Sequence, residues 1–394
     1  MNPARRIYAD YNATAPLRPE AKAAIAAALE LTGNPSSVHA EGRRVRALVE
    51  AARESVAAAI GACRDDIAFT SGGTEAVGTP LHGALQAIGN AVLVASAIEH
   101  DAVSSLVTGI EVWPTRPDGV VELDWLRQAT AKLASQGYRP LVSLMLVNNE
   151  TGVIQPVAEA AEIAHAAGGL IHCDAIQALG KIDVSIIDLD IDYLSLSSHK
   201  IGGPQGVGAF YVKPGAPFRA VQTGGGQEFG RRAGTENAAG IAGFAAAAEA
   251  ATAAVGLPAD NYLTVSQVMM VARLKLSAPT LKLHGEGAPR APGVFCFGVE
   301  GLSAETQVMG MDLAGIAVSA GSACSSGKVK PSRVLKAMGL SDIAARSAIR
   351  VSFGWATSAS DPNEVADAWL KMASRARPEL VKPAKLGTIG LKVS

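Results

Sequence analysis

The chain is poor in aromatic residues and in net charge. Aromatic residues make up 5% of its 394 residues, and the formal net charge is -1. Without a basic run or a set of stacking side chains, the composition does not favour nucleic-acid binding. No uncharged apolar run reaches the roughly 20 residues that a membrane-spanning helix needs, and no sustained apolar stretch typical of a secretory signal follows the first residues. We therefore expect a cytoplasmic protein that binds neither nucleic acid nor membranes.

Cysteine is also scarce, and its spacing shows no pairing pattern. The chain contains Cys63, Cys173, Cys296 and Cys324. Four cysteines in a long chain, without a C-x-x-C pair, are typical of free thiols in a reducing compartment. His172, Cys173 and Asp174 are consecutive, and consecutive strand residues point to opposite faces, so we expect no metal site there.

The hydrophobic content, 48%, is high enough for a large core. Strands are predicted at residues 67–70, 91–96, 141–147, 170–173, 193–196 and 208–212, and helical patterns lie between several of them. This alternation predicts an α/β domain with a mostly parallel sheet. Beyond about residue 257 the pattern is looser and predicts a smaller α+β domain. We predict a large domain of residues 15–256 and a small domain formed by residues 1–14 and 257–394.

One lysine, Lys200, lies directly after a predicted strand and before a glycine-rich loop, in the sequence SSHKIGGP. A lysine amine reacts as a nucleophile when it is neutral, and a covalent bond to a carbonyl cofactor is its usual use in enzymes. An ordinary surface lysine in a turn is the alternative interpretation of this segment alone. Other strand ends favour the first interpretation.

Four further motifs follow predicted strands. Gly73 and Thr74 open a helix in SGGTE, where backbone N–H groups and a hydroxyl attract an anion. Asp174 can pair with a protonated pyridine nitrogen, and His100 can stack on a flat ring and move protons near neutral pH. Asn149, in NNETG, can hydrogen-bond a phenolic oxygen or a carboxylate. Each motif also has a structural alternative: a tight turn, a helix N-cap or a structural histidine.

Together with Lys200, these motifs correspond to a phosphate, a pyridine nitrogen, a ring face and an aldehyde carbon. On these residues the sequence resembles the class V aminotransferase family of pyridoxal-phosphate enzymes, and within it the cysteine desulfurases of the NifS/IscS type. The resemblance runs from YADYNATAP (residues 8–16) to about residue 358 and includes NPSSVHAEGR, TSGGTE, SAIEH, VNNETG, HCDAIQ, SSHKIGGPQGVGA and GGGQEFGRRAGTEN. It implies the aspartate aminotransferase-like fold of PLP-dependent transferases (fold type I).

The resemblance also implies roles for individual residues. It implies that the cofactor pyridoxal 5'-phosphate is bound by Gly73, Thr74, His100, Asn149, Asp174, Gln177, Ser197, His199, Lys200 and Thr235. Lys200 and His100 are expected to act in catalysis as well. The residue that matches Thr235 reaches the cofactor of a neighbouring subunit, so we expect a homodimer.

A last cysteine and an arginine complete the expected site. Cys324 lies among serines and glycines in SAGSACSSG, a setting that suits a reactive thiol better than a core residue. The resemblance implies that Cys324 attacks the substrate sulfur and passes it, as a persulfide, to an acceptor such as an iron–sulfur scaffold protein. It implies that Arg350 and Asn149 bind the substrate carboxylate, for which a guanidinium fork is suited. The expected reaction converts L-cysteine to L-alanine.

Three alternatives stay open at this point: a selenocysteine lyase, another class V aminotransferase, and a non-catalytic sulfur carrier or scaffold. Cys324 counts against the aminotransferase. Lys200, Asp174 and His100 count against the carrier. The selenocysteine lyase is poorly separated, because the two substrates share a carbon skeleton. The sequence predicts neither the sulfur acceptor nor its pathway.

Overall fold

The computed structural model describes residues 5–320 and 331–382, apart from the side chains of residues 258–263. Its strands are β1 (Ile7–Tyr8), β2 (Ile67–Thr70), β3 (Ala91–Ser96), β4 (Glu111–Trp113), β5 (Arg139–Met145), β6 (Leu170–Asp174), β7 (Tyr193–Ser197), β8 (Gly208–Val212), β9 (Lys282–Leu283), β10 (Val294–Gly298), β11 (Ile316–Ala317), β12 (Ser319–Ala320) and β13 (Ala348–Ser352). Its α-helices are α1 (Pro19–Leu29), α2 (Ala40–Ala58), α3 (Gly73–Ile88), α4 (Asp101–Ser104), α5 (Leu123–Ser135), α6 (Val157–Ala166), α7 (Ile186–Leu189), α8 (Ala238–Thr252), α9 (Pro258–Ser277), α10 (Ala304–Leu313), α11 (Arg333–Ala337), α12 (Asp342–Arg346) and α13 (Asp361–Ala376).

The larger sheet has seven strands in the order β2-β8-β7-β6-β5-β3-β4. Strands β4, β3, β5, β6 and β7 pair in parallel, and only β8 runs antiparallel to its two neighbours. The prediction of an α/β fold with a mostly parallel sheet is therefore confirmed. Because parallel strands end at the same edge, the residues that follow β5, β6 and β7 lie side by side there, where ligands usually bind in such sheets.

The helices that cover this sheet follow the apolar spacing of the sequence. In α2, Val45, Val49, Ala52 and Val56 recur every three to four residues and are buried, so they form one face against the core. The His39 side chain accepts a hydrogen bond from the Gly42 N–H and caps the first turn. Alanine-rich α8 packs against α1 and α2 in the same layer.

A second, four-stranded antiparallel sheet has the order β12-β13-β10-β9. Phe297 and Trp369 meet edge to face at 5.7 Å in the core between this sheet and α13. Sequence reasoning did not identify the helices α7, α9 and α12 or the short strands β1, β4, β9, β11 and β12. The missed strands have only two or three residues, and α7 and α12 have only four and five, which is too short for a periodic pattern. The proposed domain limits at residues 14 and 257 stay a prediction.

The N-terminal segment joins the two sheets. Ile7 pairs with Ile316 in the small sheet of β1 and β11, and the Tyr11 N–H donates to the Ser352 carbonyl. A few residues later the Ala15 N–H donates to the carbonyl of His199, directly beside Lys200. Within residues 5–320 and 331–382, no helix is both long and apolar enough to span a bilayer.

Candidate active site

A cavity of about 610 Å³ opens at the carboxyl edge of the larger sheet. Ten residues predicted from the sequence line it: Gly73, Thr74, His100, Asn149, Asp174, Gln177, Ser197, His199, Lys200 and Arg350. Thr235 is exposed and is not part of this lining. Cys324 lies outside the described residues. The fold therefore brings together residues that are up to 277 positions apart in the sequence (73 to 350).

Lys200 lies in a single 3-10 turn that follows β7. Its Nζ donates to the Asn12 carbonyl at 2.7 Å and to the Ala13 carbonyl at 2.8 Å. Burial, and next the charge of Arg350, lower the pKa of the Lys200 amine to about 8. A substantial fraction of this amine is therefore neutral near physiological pH, as a nucleophilic lysine requires.

Asp174 ends β6 and is 4% exposed. Its Oδ1 accepts a hydrogen bond from the Ile176 N–H at 2.9 Å. Burial raises the pKa of the Asp174 carboxyl, and the hydrogen bond, His100 and Lys200 oppose that shift. A cationic N–H donor in the cavity would offset the cost of burying the charged carboxylate.

The two cavity histidines have defined hydrogen bonds. His100 caps α4, where its Nδ1 accepts from the Ala102 N–H at 3.1 Å. A neutral His100 ring therefore carries its proton on Nε2, which leaves that nitrogen for a ligand. His199 Nδ1 lies 3.2 Å from Thr14 Oγ1, and burial, with Lys200, lowers the pKa of His199 to about 4. His199 is thus neutral at physiological pH.

The first turn of α3 forms one wall of the cavity. Gly72 has φ 152°, a conformation that favours glycine, and Gly73 begins the helix. A Cβ on Gly73 would lie 2.9 Å from Ile176 Cδ1 and 3.2 Å from Ser197 Cβ, so this wall has no room for a side chain. Ser197 Oγ is buried without a hydrogen-bond partner among the described residues. Backbone N–H groups and this hydroxyl together suit an anionic group.

Arg350, on β13, brings the second sheet to the cavity and is 4% exposed. Its Nη1 donates to the Asn149 carbonyl at 3.0 Å, and its Nη2 donates to Asp10 Oδ1 at 2.8 Å. The backbone carbonyl of Asn149 therefore helps to fix the position of the Arg350 side chain. Arg350 Nε is buried and has no partner among the described residues.

The described residues on either side of 321–330 lie at this same place. Ser319 pairs with Arg350 across β12 and β13, and its Oγ donates to Asp10 Oδ2 at 2.7 Å. Pro331 and Arg333 line the cavity. The described residues that flank 321–330 in the sequence therefore lie beside the site.

Sequence reasoning missed Asn12, which hydrogen-bonds Lys200, Gln177 and Asn149 in the site. Its carbonyl accepts from Lys200 and, at 2.9 Å, from Gln177 Nε2. Its side-chain Nδ2 donates to the Asn149 carbonyl at 2.9 Å, and its Oδ1 accepts from Lys181 at 2.8 Å. Asn12 lies inside the motif YADYNATAP, which is the only signal that the sequence offered.

Two buried carboxyls were also missed. Glu99 Oε1 accepts from Ser96 Oγ and from the Met145 N–H, and burial and Asp174 raise the pKa of Glu99 to about 8. Burial likewise raises the pKa of Glu150 to about 7, and its Oε2 accepts from Ser332 Oγ at 2.5 Å. Glu99 adjoins His100 and Glu150 adjoins Asn149, so both were within motifs that had been singled out.

The arrangement has counterparts among known proteins. The family model for class V aminotransferases matches residues 7–365. The chain belongs to this family. A cysteine desulfurase from Cereibacter sphaeroides is 42% identical over 370 residues, which cover 90% of this chain and 92% of that protein.

Solved structures agree with this grouping. A NifS-like protein from Rickettsia africae ESF-5 has a TM-score of 0.84 and 29% identity, covering 94% of this chain and 100% of its own. The structure of SspA in complex with cysteine has a TM-score of 0.74 and 27% identity, covering 88% and 98%. The predicted family and the predicted transferase fold are confirmed.

Proposed function

We propose that the protein is a pyridoxal-phosphate-dependent cysteine desulfurase that converts L-cysteine to L-alanine and retains the sulfur as a persulfide on Cys324. The observation that carries the proposal is the convergence of Lys200, Asp174, His100 and Arg350 on one cavity. A reactive amine, a buried carboxylate, an imidazole and a guanidinium are the groups that this chemistry needs besides the thiol of Cys324.

The residues present fit pyridoxal 5'-phosphate. The first turn of α3 and the unpartnered Ser197 Oγ suit its phosphate, and buried Asp174 suits its protonated ring nitrogen. Gln177 lines the same cavity, and His100 offers its Nε2. When bound, this cofactor supplies an electron sink that weakens bonds at the substrate carbons. Lys200 would hold it through its amine.

The chain's own groups bind the substrate and move its protons. Arg350, with its unpartnered Nε, binds the carboxylate of cysteine. The Lys200 amine would take the proton from the substrate α-carbon and return it, and His100 Nε2 would assist in this proton transfer. With the cofactor bound, Asp174 would keep the proton on its ring nitrogen.

Sulfur leaves through Cys324. Its thiolate attacks the substrate sulfur, so an S–S bond forms while the Cβ–S bond breaks and its electron pair goes to Cβ. Protonation of that carbon gives alanine. The persulfide then passes its outer sulfur to an acceptor protein. Pro331 and Arg333 line the cavity and follow Cys324 by fewer than ten positions in the sequence, which supports this role.

Two variants test the proposal. Lys200→Ala should lose the absorbance band of the lysine-bound cofactor, whereas Cys324→Ser should keep the band and lose alanine production from L-cysteine. Lys213→Ala, whose Nζ pairs with Asp190 on the surface, is the matched control and should change neither. A Cys324→Ser protein that makes alanine at the normal rate would exclude the persulfide role.

We further propose a homodimer in which Thr235 serves the cofactor of the partner. Thr235 is exposed and does not line the cavity of its own chain. If so, mixing inactive Lys200→Ala with inactive Thr235→Ala chains should restore part of the activity, since one of the two sites in each mixed dimer is intact. Absence of recovery in a mixture with proven subunit exchange would argue against the shared site.

A further inference from the structure

The turn that carries His100 needs support from the rest of the fold. Helix α4 has only four residues (Asp101–Ser104), and a helix of one turn is not stable by itself. His100 caps this helix, because its Nδ1 accepts from the Ala102 N–H at 3.1 Å. The orientation of the His100 ring therefore depends on an intact first turn.

Arg333 contacts the residues on both sides of His100. Its Nη2 donates to the Glu99 carbonyl and forms an ion pair with Asp101 Oδ1 at 3.2 Å. Because Asp101 is exposed, the ion pair alone contributes little, whereas a hydrogen bond from a cation to a carbonyl is stronger than a neutral one. A single nitrogen of Arg333 thus joins the residue before His100 to the residue after it.

The backbone of Arg333 is itself fixed. Arg333 begins α11, and Ser332 caps that helix by accepting from the Leu335 N–H at 3.1 Å. The buried Ser332 hydroxyl also donates to Glu150 Oε2 at 2.5 Å. Val334 and Leu335 are buried in the hydrophobic core of the larger sheet. Arg333 therefore extends from a well-packed helix to the turn with His100.

Exposure does not set Arg333 apart from an ordinary surface cation. The side chain of Arg333 is 47% exposed, and that of Lys336, on the same helix, is 45% exposed. Their contacts differ, since Lys336 pairs with Asp342 on the surface and Arg333 lines the cavity. Lys336 is therefore a matched control for the loss of one positive charge from α11.

We propose that Arg333 is a positioning residue, which acts on the reaction by holding the turn that orients His100. The inference rests on the proposed function, in which His100 assists proton transfer. Arg333 itself needs no contact with the cofactor or the substrate. Because it follows Cys324 by nine positions in the sequence (324 to 333), it also joins the part of the chain after that cysteine to the turn with His100.

Hydrogen exchange of the holoenzyme tests whether Arg333 holds the turn. Arg333→Met keeps an apolar side chain and removes the guanidinium. The N–H groups of Val103 and Ser104 donate to the His100 carbonyl, so they should exchange at least about fivefold faster in this variant. Mass spectrometry of the peptide that contains α4 measures this rate, and Lys336→Met should leave it unchanged.

The kinetic constants for alanine production from L-cysteine test the effect on the reaction. In Arg333→Met, kcat should fall about tenfold, a part of the roughly 10²- to 10⁴-fold that a general acid–base group contributes. KM should change less than about twofold, because Arg350 still binds the substrate carboxylate. Arg333→Lys should restore most of kcat, since the ammonium of lysine can replace Nη2, the one nitrogen that makes both contacts.

A second substitution shows whether Arg333 acts through His100. In a His100→Gln protein, Arg333→Met should lower kcat no further, because the group that Arg333 positions is already gone. A further tenfold fall there would contradict the proposal, as would values for Arg333→Met that equal those for Lys336→Met. If Arg333→Met does not fold, Asp101→Asn, which removes only the ion pair, takes its place in the same tests and should lower kcat about twofold.

Activity and exchange separate the positioning role from the proposed function. A wild-type holoenzyme that makes no alanine from L-cysteine refutes the proposed function, and the exchange rate still decides whether Arg333 holds the turn. An active wild-type enzyme, with unchanged exchange and unchanged kcat in Arg333→Met, refutes the positioning role and leaves the proposed function standing.

Discussion

The rate at which the apoenzyme binds pyridoxal 5'-phosphate covalently should depend on pH and should follow the fraction of the Lys200 amine that is neutral. With a pKa of about 8, in place of the ordinary value of 10.5, roughly a quarter of the amine is neutral at pH 7.5. At the ordinary value only about one molecule in a thousand would be neutral, so burial beside Arg350 raises the reactive fraction by about 240-fold. The rate of capture should rise about tenfold per pH unit below pH 7 and level off above pH 9.

The assay mixes apoenzyme with the cofactor for a fixed short time, reduces the product with borohydride, and counts labelled Lys200 by peptide mass spectrometry. Free N-acetyl-lysine amide in the same buffers corrects for ionisation of the cofactor itself. A capture rate that still rises steeply at pH 10 would refute the argument, because it would mean that the protein does not perturb this amine.

Two substitutions should move the midpoint of this pH profile, the pH at which the capture rate is half its maximum, in opposite directions. Arg350→Gln removes a cation that lowers the pKa of Lys200, so the midpoint should move to higher pH. Asp10→Asn removes an anion that raises it, so the midpoint should move to lower pH. Shifts of the same sign in both variants would indicate a general structural change in place of the two charge effects.

Two further predictions concern packing around the site. Gly73→Ala should weaken the affinity for the cofactor about tenfold in equilibrium dialysis, because the added Cβ would press Ile176 into the cavity. Gly78→Ala is the control, because its added Cβ would contact only Leu106, at 3.6 Å. Glu228→Gln should destabilise the fold by roughly 3 kcal/mol in urea unfolding, since it removes the buried anion that pairs with Arg53 and leaves this 2% exposed cation only Glu50, at 3.4 Å. A loss below about 0.5 kcal/mol would contradict this reasoning.

Most of the larger sheet was predictable from local patterns. β2, β3 and β8 have the predicted bounds, because each is an apolar run that ends at a polar residue or a glycine. By contrast, β4 was not predicted. Glu111–Trp113 is a short edge strand with two exposed residues, so it lacks an apolar run, and it forms only by pairing with β3.

Within the site, residues whose side-chain chemistry is distinctive could be found from the sequence. Lys200, Asp174 and His100 lie at strand ends and were predicted from that position and their chemistry. Asn149 was predicted to act through its side chain, whereas its carbonyl is what holds Arg350. A backbone carbonyl is present at every residue, so no sequence pattern could have singled out that contact.

The same limit explains why Asn12 was missed, and it shows how the two halves of the site are coupled. The Lys200 amine is held by a carbonyl 188 positions earlier in the chain. The side chain of that residue, Asn12, donates to the Asn149 carbonyl, which also accepts from Arg350. Because one residue supports both the reactive amine and the carbonyl beneath the guanidinium, a shift of the N-terminal segment would displace both together. Asn12 thus links the Lys200 amine to the Arg350 guanidinium through hydrogen bonds that exist only in the folded chain.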